Sequence, residues 1–248
     1  MPPSRLPPPL PPETRTVGQL VAETLKLYGA RFWPSLALGI GPALLGVAAA
    51  ELDDPARLIV VLGLGPLVLT SSYAGAIALV RPISRGRYLA TALAAGFIAF
   101  APLCVARLWI FPGIYLLVLA WLALAGLAVP AALVERRGFS DAMRRGVQLA
   151  RADYVHALGS LATLVITIFL TGLVLFFTLR ELSDQALRVA AFLALLVLAP
   201  VFVLGAAILY VDQAARVESG SRPRRSNADL HSAVESDGAG RSDAEVEP

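Results

Sequence analysis

Apolar residues do not alternate along this chain; they run in six blocks, at residues 32–50, 56–80, 88–106, 110–134, 155–179 and 189–210. Each block is 19–25 residues long. About 20 residues, at a helical rise of ~1.5 Å, cross a hydrocarbon layer ~30 Å thick. Within such a layer the backbone must satisfy its own hydrogen bonds, which a helix does inside one segment. The pattern therefore predicts an all-α fold, a polytopic bundle of six transmembrane helices. The narrowest division is between the third and fourth blocks. There Arg107 is followed by Leu-Trp-Ile-Phe-Pro112-Gly113. A charge, interfacial aromatics and a Pro-Gly break suit a tight turn at the membrane surface.

Two polar segments repeat apolar residues at helical spacing and read as interfacial amphipathic helices, at about 16–31 and 140–154. The first opens on Thr16-Val-Gly-Gln19, a capping-box pattern, and its stripe is Val17, Leu20, Val21, Leu25 and Tyr28. The second has Ser140 as its expected cap. Its apolar side is Ala142, Met143, Val147, Leu149 and Ala150, and its polar side is Arg144, Arg145, Gln148 and Arg151. Each apolar face is expected to meet acyl chains or the bundle, and the arginines to meet anionic headgroups. Residues 1–15, with seven prolines in the first twelve, are expected to form a stiff, polyproline-like disordered tail without the apolar run of a secretory signal. Residues 216–248 hold no aromatic side chain and are rich in Ser, Gly, Asp and Glu, so they are expected to be disordered. The membrane domain is then 16–215.

Composition agrees with this division. Of 248 residues 57% are hydrophobic and 16% charged, against ~25% charged in a soluble domain, and the mean hydropathy is +0.70. An ordinary soluble enzyme, a secreted disulfide scaffold (Cys104 is the only cysteine) and a nucleic-acid-binding domain are all excluded. Among the 21 basic residues only Lys26 is not Arg, a usage typical of a high-GC bacterial genome. With both termini in the cytoplasm, 17 basic residues lie inside and only Arg57, Arg107, Arg180 and Arg188 outside, which is the asymmetry of the positive-inside rule. The expected location is thus the bacterial inner membrane.

Candidate chemistry is sparse. The spans hold almost no ionisable group, and intramembrane catalysis or ion coupling needs them. His156 is given no carboxylate partner and is read as a surface group. There is no nucleophile pattern, phosphate-binding loop or metal-ligand spacing, so no catalytic residue, metal or cofactor is expected. Five arginines, Arg136, Arg137, Arg144, Arg145 and Arg151, gather between the fourth and fifth spans. They are topology anchors or a docking surface for anionic lipid or a membrane-protein partner. The pentapeptide Leu38-Gly-Ile-Gly-Pro42 is echoed by Leu62-Gly-Leu-Gly-Pro66. Pro42 and Pro66, with Thr163, Thr167 and Thr171 on one helix face, are either packing features or the broken helices and polar path of a small transporter or permease subunit.

Several segments resemble a known pattern. Phe111-Pro-Gly-Ile-Tyr115, Val129-Pro-Ala-Ala-Leu-Val-Glu135 and Gly138-Phe-Ser-Asp-Ala-Met-Arg-Arg145 resemble bacterial multi-pass membrane proteins related to the membrane domain of glycerophosphoryl diester phosphodiesterases. So do Val17-Gly-Gln-Leu-Val and Tyr210-Val-Asp212-Gln-Ala-Ala-Arg216. Gly146-Val147 stands where that pattern has Ser-Trp. The sequence contains no His/Glu/Asp constellation of the esterase domain, so the resemblance implies a membrane module and not an esterase. The expected function is non-enzymatic: binding of membrane lipid or of a membrane-protein partner, without nucleic acid.

Overall fold

The computed structural model describes residues 11–83, 86–106, 113–181 and 183–221. Most of the proline-rich tail, the turn at Arg107 and the tail beyond residue 221 lie outside the described residues. The described chain is helical, with no strand among the described residues. Its helices are α1 Val17–Ala30, α2 Phe32–Ala37, α3 Ile40–Glu51, α4 Asp54–Val80, α5 Arg87–Ala106, α6 Gly113–Ala125, α7 Ala128–Val134, α8 Phe139–Ala152, α9 Tyr154–Leu179 and α10 Asp184–Ser221. They make an all-α polytopic bundle in which six spans are long and apolar enough to cross a membrane, with α2 and α3 forming the first and α6 and α7 the fourth.

Both interruptions lie just before a proline. A proline in a helix has no N–H to donate, and its ring crowds the carbonyl four residues earlier. The break at Leu38-Gly39 lies four and three residues before Pro42, and there the bonding tightens to Leu38 N–H to Ser35 O and Gly39 N–H to Leu36 O. The break at Gly126-Leu127 stands in the same relation to Pro130. Pro66, in contrast, sits inside α4, which runs on without interruption. Of the two helix breaks that the transporter alternative invokes, at Pro42 and Pro66, only the first is present.

The amphipathic helices form as their patterns require. Thr16 Oγ1 accepts from Gln19 N–H at 3.4 Å while Gln19 Oε1 accepts from Thr16 N–H at 2.8 Å, a complete capping box. Arg31 donates to the Leu79 carbonyl at 2.9 Å, tying the α1–α2 junction to the end of α4. Beside it Tyr28, Phe32 and Trp33 stack edge to face, with Trp33 76% exposed, a placement suited to the headgroup layer. The second helix corrects one expectation: its N-cap is Gly138 and makes no side-chain cap bond, and Ser140 lies within the first turn.

The core is built of small side chains that let helices approach closely. Ala76, Ala92, Ala95, Ala99, Ala131 and Ala132 are fully buried. Tyr73 and Phe100 meet edge to face at 6.1 Å among them, and the Tyr73 hydroxyl donates to the Ala206 carbonyl. Helix α7 is enclosed along almost its whole length. The sixth span extends well past residue 210: α10 has 38 residues, or ~57 Å at the helical rise, nearly twice the hydrocarbon thickness. Its last turns, including Arg216, are helical rather than part of the tail, and they pack against α1 and α8.

Candidate functional site

One end of the bundle gathers the N-terminal segment, α8, the α8–α9 junction and the projecting end of α10. Here several polar groups gather around three carboxylates, Glu135, Asp153 and Asp212.

Helix α7 delivers the first. Glu135 follows its last residue and accepts from Arg137 Nε at 2.6 Å, Arg145 Nε at 3.0 Å and the Tyr210 hydroxyl at 3.1 Å. Residues two apart on a helix cannot face each other. Arg136, with φ of 56°, supplies the left-handed turn that brings Arg137 back onto Glu135. Burial raises the pKa of Glu135, but the hydrogen bonds and charges of Arg137 and Arg145 outweigh it, and the carboxyl is held below its ordinary value. The cluster thus joins the end of α7, α8 and α10 through one charged acceptor.

The second carboxylate, Asp153, begins α9. One oxygen accepts the His156 backbone N–H at 3.0 Å as an N-cap, and the other accepts from Arg216. Arg216 also donates to the Arg15 carbonyl at 3.0 Å, and Arg15 in turn pairs with Asp212, which is fully buried. Gln213 Nε2 adds a bond to the Asp153 carbonyl at 3.1 Å. The N-terminal segment is thereby stitched to the far end of the chain. His156, given no carboxylate partner from the sequence, in fact follows Asp153 by three residues.

The five candidate arginines divide. Arg145 is largely enclosed and, with Arg137, belongs to the Glu135 cluster. Arg136, Arg144 and Arg151 are exposed, and the only pairing of these three among the described residues is a loose one, Arg144 to Asp141 at 3.9 Å. The apolar side of α8 meets the bundle: Ala142, Gly146, Leu149 and Ala150 are buried against it. At Gly146 a Cβ would stand 2.6 Å from the backbone N of Ala128. A serine, as in the resembled pattern, would not fit here without moving α7.

The other candidates are accounted for within the helices. Thr163, Thr167 and Thr171 each donate to the carbonyl four residues earlier at 2.8 Å, and the last two face outward. They are not brought together with Pro42 and Pro66, which are buried packing residues of α3 and α4. No family model matches this chain, and neither does any curated protein or solved structure.

Sequence reasoning missed Asp153 and used Glu135, Tyr210, Asp212 and Arg216 only as marks of resemblance. The available signal was simple. Carboxylates at the ends of apolar spans are costly unless a cation meets them, and Glu135, Asp153 and Asp212 are all so placed.

Proposed function

We propose that this chain is a non-enzymatic multi-pass protein of a bacterial inner membrane, with both termini cytoplasmic. Its basic end binds anionic lipid headgroups through Arg136, Arg144 and Arg151. The observation that carries this reading is the division of the arginines. Arg137 and Arg145 are both engaged by Glu135, while the other three are exposed on the turn and helix beside it. Each basic side chain at a membrane surface adds ~1 kcal/mol of attraction to anionic lipid. At the opposite end Arg57, Arg180 and Arg188 each have an acidic neighbour within 4.0 Å, whereas at the basic end Arg144 has one at 3.9 Å and Arg136 and Arg151 have none among the described residues. Arg136 and Arg151, without an acidic neighbour among the described residues, favour anionic lipid at this end, where the described chain begins and finishes, and they support placing it in the cytoplasm.

The resemblance to the membrane domain of glycerophosphoryl diester phosphodiesterases belongs with this proposal. The residues that carry it, Glu135, Arg145 and Tyr210, form one hydrogen-bonded cluster, as a structural module would require.

The test is reconstitution of the full chain in nanodiscs of mixed phosphatidylcholine and phosphatidylglycerol, with retained lipids identified by native mass spectrometry. Wild type retains phosphatidylglycerol in excess. Replacing Arg136, Arg144 and Arg151 by Gln, with Arg137 and Arg145 intact, abolishes that excess while a C-terminal reporter still shows cytoplasmic placement. Unchanged enrichment in a correctly inserted variant rejects the reading.

A further inference from the structure

Away from the basic end, an apolar cleft of about 680 Å³ opens sideways between α6, α9 and α10. Its walls include Leu119, Phe169, Phe176, Ala194 and Leu198, and its floor reaches Pro42 of α3. Toward the basic end it closes where α6 meets α9, the Tyr154 hydroxyl donating to the Ala120 carbonyl. Along α10 the lining runs from Leu187 to Val203, ~24 Å at the helical rise. Its lining is almost wholly apolar over that length, which suits an extended acyl chain.

The open mouth is charged in a specific way. Leu179 and Leu187, which line it, are each followed by an arginine. Arg180 lies over the Phe177 ring at 5.5 Å and 4.0 Å from Glu181. Arg188 pairs with Glu51 of α3 at 2.7 Å. All four charged side chains are more than half exposed. Two cations beside two carboxylates at the edge of a hydrocarbon slot complement a headgroup bearing both a phosphate and an ammonium. A purely anionic headgroup would be repelled by Glu51 and Glu181. We infer that this cleft is a binding site for a zwitterionic phospholipid of the phosphoethanolamine type. One acyl chain lies between α6, α9 and α10, with the phosphate at Arg180 and Arg188 and the ammonium at Glu181 and Glu51. The site is at the opposite end of the bundle from the arginines of the proposed function, so either stands or falls alone.

The probe is phosphatidylethanolamine carrying a diazirine in one acyl chain, in nanodiscs with an equal part of phosphatidylglycerol, photolysed in the presence of the full-length protein. Adducts concentrate on Leu119, Phe169 and Leu198, and are few on the equally apolar outer positions Val174 and Phe177. Native mass spectrometry finds one phosphatidylethanolamine held per chain after extraction. Ala194→Phe and, separately, Ala191→Phe fill the slot and lower that retention about tenfold, the equivalent of ~1.4 kcal/mol. Glu51→Gln with Glu181→Gln shifts retention toward phosphatidylglycerol. Labelling spread evenly over exposed apolar positions, equal retention of both lipids by wild type, or chain-to-chain adducts in place of lipid adducts would each overturn the assignment. The wild-type labelling map decides the matter even if a filled variant fails to fold.

Discussion

Glu135→Gln tests whether the Glu135 cluster holds α7, α8 and α10 together. The change keeps the volume and one acceptor for the Tyr210 hydroxyl but removes the charge that both arginines address. The Arg137 side chain is 41% exposed, and an exposed pair contributes only ~0–1 kcal/mol. The Arg145 side chain is 17% exposed and Glu135 18%; for fully buried pairs, loss of one partner costs ~3–5 kcal/mol. The cluster lies between these limits, so Glu135→Gln is expected to cost ~2 kcal/mol. Unfolding in mixed micelles by increasing dodecyl sulfate, followed by tryptophan fluorescence, measures it. Arg145→Met completes a double-mutant cycle, with an expected coupling of ~1–2 kcal/mol between the two sites. Additivity within ~0.5 kcal/mol would refute the claim that Glu135 and Arg145 act as one unit. Arg144→Gln, exposed on the same helix, serves as control and should change stability by less than ~0.5 kcal/mol.

Two further outcomes follow from named contacts. Because the folded-state pKa of Glu135 is lowered from 4.5, its contribution to stability is complete above that value and is lost as pH falls through the folded pKa. Wild type should therefore lose this increment in the same titration on acidification below pH 4.5, and Glu135→Gln should not; parallel pH profiles would argue against it. At Gly39 a Cβ would stand 2.1 Å from the Leu196 carbonyl oxygen, so Gly39→Ala must push α3 from α10 at a cost of ~3 kcal/mol or more. Gly63→Ala, where a Cβ meets nothing within 4 Å, should be within ~0.5 kcal/mol of wild type; equal behaviour of the two variants, read by folded yield in size-exclusion chromatography, would contradict the packing.

Which features are legible in the sequence follows from the range of the forces that make them. Hydropathy and helical spacing are local, so six spans, the capping box at Thr16 and the two amphipathic helices can be read directly. The ends of α10 are harder to place, because its last turns are held by Arg15, Asp153 and α8 rather than by their own apolarity. The pentapeptides ending in Pro42 and Pro66 show the same limit. Their local chemistry is nearly identical, yet one breaks a helix and the other does not. What differs is the setting: Gly39 lies against the backbone of α10. The Glu135 cluster spans 10 residues to Arg145 and 75 to Tyr210, a separation no periodicity encodes.

The two ends of the bundle also explain why counting arginines alone locates a basic region but not a binding residue. A cation near the membrane surface can close a fold or face a partner, and the difference is whether a carboxylate has been carried to it. Glu135 reaches Arg145 because α7 is enclosed and ends there, with the left-handed Arg136 turning the chain back. Once Arg145 and Arg137 are engaged, Arg136, Arg144 and Arg151 remain turned outward on a rigid support. The same reasoning reads the opposite end as balanced among the described residues, since Glu51, Asp54 and Glu181 lie beside Arg188, Arg57 and Arg180. Removing carboxylates there should convert a zwitterion-selective mouth into an anion-selective one, whereas at the basic end removing a carboxylate should loosen the fold first.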